Sequence, residues 1–380
     1  MRLKTVVKLG TMVSVLLFAL AIGYYALMRL DVTGQSKDVD LFSLVPSDCV
    51  AVLENENIYA FWNEYPDLNY SRELDSLQFS GLFSFLFNEL NAYTNEHGLS
   101  HEMGHLLVSF HHPGSSLDQV VYFQKGTTDG QLLSDVLQEY MPSNFIPKEE
   151  VYRGKSMLVY PLFHDKFLVA YTEDNFVVLS YQKRLVEEVI DAQLDGTSLS
   201  QDVVFSQILK KKKTNHSLKL YGRSVALPVL NVGMECWSEY DFYLNSDVLY
   251  LMGETYMPES SSYIATVKKC LEEVPVVKEE EFIVSTERDS TIRYMEQTFE
   301  MNDEGSQTLF NECVANLAEE VDFSLVVDMQ KVEKESDRFQ SYLPPFVLSN
   351  ASCFRSFILS EQLSLNGGRM THMWVFTYKN

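Results

Sequence analysis

The longest uninterrupted apolar run is Leu9 to Met28, which carries no charge. At ~1.5 Å per residue, a helix of that length covers a hydrocarbon core of ~30 Å, so the run predicts one membrane crossing. Arg2, Lys4 and Lys8 precede it, while Arg29 and Asp31 follow. This bias places the N-terminus in the cytoplasm and residues 32–380 outside the cytoplasm, which is the periplasm if the cell is Gram-negative. Ala19-Leu20-Ala21 has the form of a signal cleavage site but lies in the middle of the run. A retained anchor over residues 1–31 is therefore expected in place of a cleaved signal.

Beyond a polar tether at residues 32–44, two periods alternate. Apolar runs bounded by turn residues predict strands at Cys49 to Glu54, Leu106 to His112, Val120 to Gln124, Ser156 to Phe163, Phe167 to Thr172 and Phe176 to Tyr181. Further strands are expected at Ser217 to Tyr221, Tyr240 to Leu244, Val248 to Gly253, Glu281 to Thr286, Phe323 to Val327, Cys353 to Leu359, Glu361 to Leu365 and Thr371 to Tyr378. Helical spacing marks the stretch after Ser71, Asp129 to Met141, Lys183 to Leu194, Val203 to Lys210, Ser262 to Glu273, 289–296, 306–320 and 333–343. The expected fold class is α+β: an N-terminal transmembrane helix followed by two or three modules with mainly antiparallel sheets. The modules are expected at residues 45–150, 151–274 and 275–380.

Composition narrows the partners. Lys and Arg number 30 against 53 Asp and Glu, and removing residues 1–31 makes the remainder more acidic still. Such a surface repels nucleic acid and anionic lipid headgroups. With 24 Phe and 21 Tyr the chain must bury a large core. Five scattered cysteines, Cys49, Cys236, Cys270, Cys313 and Cys353, form no Cys-x-x-Cys pair and read as buried thiols, with one or two long-range bridges as the alternative.

The anchor, the opening Val45-Pro46-Ser47-Asp48-Cys49-Val50-Ala51-Val52-Leu53-Glu54 and the strand-strand-helix block from Phe167 to Ile190 resemble a family of membrane-anchored extracytoplasmic proteins of unknown function from Bacteroidota. The resemblance covers most of the chain at the level of pattern. It implies an envelope protein of α+β build and brings no catalytic residue.

One motif carries chemistry. His101-Glu102-Met103-Gly104-His105 matches the His-Glu-x-x-His pattern of zinc peptidases, in which two imidazoles one helical turn apart bind zinc and the Glu activates water. His111 lies where a third metzincin ligand would stand, but Val108 replaces the glycine that lets that chain turn back. A strand from Leu106 would hold His105 and His111 about 20 Å apart, too far to share an ion. Asp191-x-Gln193-x-Asp195-Gly196, with Asp202, echoes a calcium loop but lacks the bidentate Glu; a helix end followed by a polar turn explains it better. Lys210 to Lys213 reads as a solvated helix terminus. No complete catalytic constellation emerges. The expectation is a non-enzymatic interaction or scaffold protein of the cell envelope, without a cofactor, that meets the membrane through Leu9 to Met28 and an envelope protein or ligand through its ectodomain. The alternative is a zinc metallohydrolase with His101 and His105 as ligands, Glu102 as base and His164 or an acid as third ligand.

Overall fold

The computed structural model describes residues 39–57, 64–75, 105–112, 117–125, 146–162, 166–173, 175–211, 218–223, 227–230, 235–258, 260–286, 308–318 and 321–379. Fifteen strands are described: β1 Ala51–Asn55, β2 Leu106–Phe110, β3 Gln119–Gln124, β4 Lys148–Tyr152, β5 Lys155–Pro161, β6 Phe167–Thr172, β7 Phe176–Ser180, β8 Leu218–Gly222, β9 Trp237–Leu244, β10 Val248–Tyr256, β11 Val277–Glu279, β12 Phe282–Ser285, β13 Phe323–Asp328, β14 Phe357–Asn366 and β15 Arg369–Tyr378. The described helices are α1 Ser71–Asp75, α2 Lys183–Asp195, α3 Phe205–Lys210, α4 Ser260–Glu273, α5 Leu309–Ala315, α6 Met329–Lys334, α7 Pro345–Ser349 and α8 Ala351–Phe354.

All fifteen strands belong to one sheet, in the order β11-β12-β13-β14-β15-β10-β9-β8-β1-β2-β3-β7-β6-β5-β4. Every neighbouring pair is antiparallel. The expectation of two or three α+β modules with mainly antiparallel sheets is corrected by this topology: one antiparallel sheet runs through all three residue ranges. Strands of one expected module close the edges of the next: β1 pairs with β8, β3 with β7 and β10 with β15. An open edge leaves a row of backbone N–H and C=O groups unpaired, and continuing the sheet satisfies them. Leu9 to Met28 lies outside the described residues, and among the described residues no helix is long and apolar enough to cross a membrane.

Local chemistry sets the element ends. Gly367 (φ 61°) and Gly368 (φ 78°) make the two-residue hairpin turn between β14 and β15, a left-handed pair that few other residues tolerate. Gly196 (φ 65°) ends α2 in the same conformation. The Asp328 carboxylate accepts from the Gln330 N–H at 2.8 Å and starts α6 at Met329, so the helix expected at 333–343 begins earlier. Cys353 lies in α8, not in a strand, and β14 runs unbroken from Phe357 to Asn366.

Register partners share a face of the sheet, which divides the side chains into a front and a back. On the front, Val52, Leu107, Tyr122, Val178, Tyr171 and Met157 form a core with Leu185, Val186, Val189 and Ile190 of α2 and Phe205 and Ile208 of α3. On the back of the other half, Phe282, Leu325, Val327, Leu359, Leu363 and Phe376 pack under Tyr263 and Val267 of α4, Met329 and Val332 of α6 and Phe354 of α8. A smaller front cluster joins Ile283, Val326 and Ile358 to Phe310, Cys313 and Val314 of α5. The front therefore has an apolar patch toward each end.

Candidate functional site

Between those patches the front of the sheet is polar. Successive register partners run Glu54, Lys219, Asp241, Met252, Met373 and Gln362 across β1, β8, β9, β10, β15 and β14. The row beside it runs Tyr221, Glu239, Glu254, Thr371 and Ser364. Asp241, Met252, Met373 and Gln362 of the first row and Glu239, Glu254, Thr371 and Ser364 of the second line an open depression of about 390 Å³, together with Lys211, Ala318 and Val321. Met252 is 48 % exposed in the middle of it.

Charges on the floor are mutually compensated. Lys211 donates to Glu254 at 3.0 Å and to the Tyr256 hydroxyl at 2.6 Å, and its ammonium lies 5.3 Å from the Tyr256 ring centroid. Arg369 stands 3.7 Å from Glu254 and Lys219 4.0 Å from Asp241. Burial pulls the Lys211 pKa down, but bonds to Tyr256 and Glu254 outweigh it and the net shift is upward. Burial pushes the Glu239 carboxyl up against the pull of Lys211. The floor thus has a firmly held cation beside a carboxyl that gives up its proton less readily than usual.

At one end the row meets the sequence motif. The Tyr221 hydroxyl donates to Glu54 at 2.7 Å, and Nε2 of His105 stands 3.1 Å from the other Glu54 oxygen. Glu54 and Tyr221 are buried and His105 is partly exposed. Of the zinc pattern, His101, Glu102 and His164 lie outside the described residues, and the one imidazole that is described faces a carboxylate. Among the described residues no group of three or more His, Cys, Asp or Glu is placed to hold a metal ion.

His111 belongs to a different cluster. Ser109 Oγ lies 2.8 Å from His111 Nε2 and 2.9 Å from the Tyr122 hydroxyl, and His111 Nδ1 lies 4.0 Å from Asp48. The order of nucleophile, base and acid is that of a hydrolytic triad. Ser109 and Tyr122 are fully buried, however, and Asp48 is beyond hydrogen-bond reach. Burial lowers the His111 pKa to about 4. The cluster satisfies polar groups inside the core and offers an acyl substrate no approach.

The calcium-like residues are also engaged. Arg153 donates to Asp191 and Asp195, both at 2.7 Å, and Asp202 accepts from the Val204 and Phe205 N–H groups at 2.9 and 2.8 Å to start α3. All five cysteines are free thiols, with Cys49 pushed up to about 12 by burial. The groove residues escaped sequence reasoning. Lys211 was hidden in a run of lysines, and Glu239, Asp241 and Glu254 sit on strands whose alternation gives only a face, not its place in the sheet.

Comparison of the chain with protein-family models, with curated proteins and with solved structures gives no match.

Proposed function

We propose that the chain is a non-enzymatic binding protein of the cell envelope, held at a membrane by the apolar segment Leu9 to Met28, whose front groove receives a polar segment of an envelope partner. The observation that supports this reading is that, among the described residues, no helix covers the centre of the front face. Helices cover the sheet on both sides of it but leave Glu239, Asp241, Met252, Glu254 and Met373 around an open depression. Two flexible thioethers, Met252 and Met373, are register partners there and can repack around varied ligand shapes. The charge pairs fix where a polar partner must exchange hydrogen bonds.

The test is photo-crosslinking in the native host from a reactive residue placed at Met252, with the same residue at Val203 as reference. Val203 is also exposed, at 75 %, and lies outside the groove. One discrete adduct from position 252, absent from position 203 and lost when Asp241→Lys and Glu254→Lys are added, is the expected result. Equal labelling from both positions, or adducts indifferent to the charge reversals, would remove the groove as the binding surface.

A further inference from the structure

Behind the groove floor, on the back of the same strands, lies a buried polar layer that meets the groove only at His372. Glu361 on β14 is fully buried and pairs in register with Trp374 on β15. Among the described residues, neither Glu361 oxygen, nor Trp374 Nε1, nor His372 Nδ1 has a partner within hydrogen-bond geometry. The other nitrogen of His372 lies 2.6 Å from Thr255 Oγ1, which lies 2.7 Å from Ser238. The Tyr240 and His372 ring centroids are 6.0 Å apart. Among the described residues, the titratable groups of this layer are therefore His372 on β15, Tyr240 and the preceding Cys236 at β9, and Tyr263 on α4. None of them is charged when Glu361 holds its proton at neutral pH.

Alternation makes these strands two-sided. Gln362, beside Glu361, and Thr371 and Met373, on either side of His372, line the groove in front. We propose that Glu361 is a proton-operated latch for the groove floor. With the proton on, the carboxyl stays in the apolar back core. Its release to solvent leaves a carboxylate whose neighbouring donor, the Trp374 indole N–H, stands outside hydrogen-bond geometry, and β14 and β15 shift to close that bond, moving Gln362, Thr371 and Met373. An unpaired charge is strongly disfavoured in an apolar core, which is what drives such a shift. Burial raises the Glu361 pKa well above the carboxylate range, and the smaller opposing pull of Trp374 does not reverse it. Burial alone lowers that of His372, to about 3. Control of binding by this latch rests on the groove reading; the latch itself does not.

The test follows the full chain labelled with ¹³C-Glu by infrared spectroscopy, and the Met252 and Met373 methyl groups by NMR, as pH is raised. The expected result is a protonated-carboxyl band at neutral pH, shifted by the label, that is lost in step with changes at both methyl groups while the protein stays folded. In Glu361→Gln the band is missing and the methyl signals no longer follow pH. Glu188→Gln and Glu239→Gln, which remove the other carboxyls raised by burial, should keep both the band and the methyl response, so the assignment to Glu361 stands even if the Glu361 variant misfolds. No such band at neutral pH, or methyl signals that ignore its loss, would overturn the latch. Because neither readout uses a groove ligand, failure of crosslinking at Met252 leaves this outcome independent.

Discussion

Gly253 shows how single residues hold this sheet together. A Cβ there would lie 2.1 Å from the Glu239 carbonyl oxygen and 2.8 Å from Tyr240 Cδ1. The hydrogen in its place lets the Tyr240 ring lie across β10 toward His372. Gly253→Ala is expected to destabilise by about 1–3 kcal/mol, the usual cost of overpacking, as read from denaturant midpoints. The buried ionisable groups set the pH range of stability from both sides. His111 and His372, with folded pKa values of about 4 and about 3, are depressed below their unfolded value. The unfolded chain thus binds more protons as pH drops below about 6.5, and stability falls on the acid side by on the order of 4 kcal/mol per fully buried histidine. Glu361 acts in the opposite sense. Its raised folded pKa means that stability is full below the unfolded value and is lost as pH rises toward the folded one. Melting temperatures of Glu361→Gln should match the parent at acid pH and exceed it increasingly as pH rises. A constant offset across the range would mean that Glu361 does not titrate between the two states.

At the scale of elements, the strands with clean alternation were legible in the sequence, and those built from charge were not. Leu106, Leu107 and Val108 mark β2, and Asn366-Gly367-Gly368 marks its own hairpin. Lys148-Glu149-Glu150 at the start of β4 carries no apolar alternation, because β4 ends the order of described strands and meets the core only through Tyr152. Those charges have a role. Salt bridges from Lys148 and Lys183 hold the Glu150 carboxyl down at about 2, so the edge stays charged over the whole working pH range. Charged side chains on an edge discourage a second chain from adding to it. The paired substitutions Lys148→Val and Glu150→Val should raise the mean mass in light scattering with protein concentration, relative to the parent. An unchanged mass would show that some other feature guards this edge.

For the molecule as a whole, periodicity gave the faces of the strands but not their neighbours. Nothing in Glu239, Asp241 or Glu254 announces that β10 lies beside β15, a strand more than a hundred residues later in the chain, since pairing between distant strands is decided by which edges remain open. The zinc motif was legible and the groove was not, for that same reason: one is contiguous, the other assembled from β9, β10, β14 and β15. The groove exists only because β10 and β15 are joined and bring Met252 beside Met373. Hydrogen–deuterium exchange on the intact chain, resolved over Val248–Tyr256 and Arg369–Tyr378, tests that junction most directly. One continuous sheet predicts that amides of β10 and β15 exchange together and as slowly as those of β1 and β2. Rapid exchange of the β10 amides directed at β15, as from an open edge, would contradict the single sheet and the groove with it.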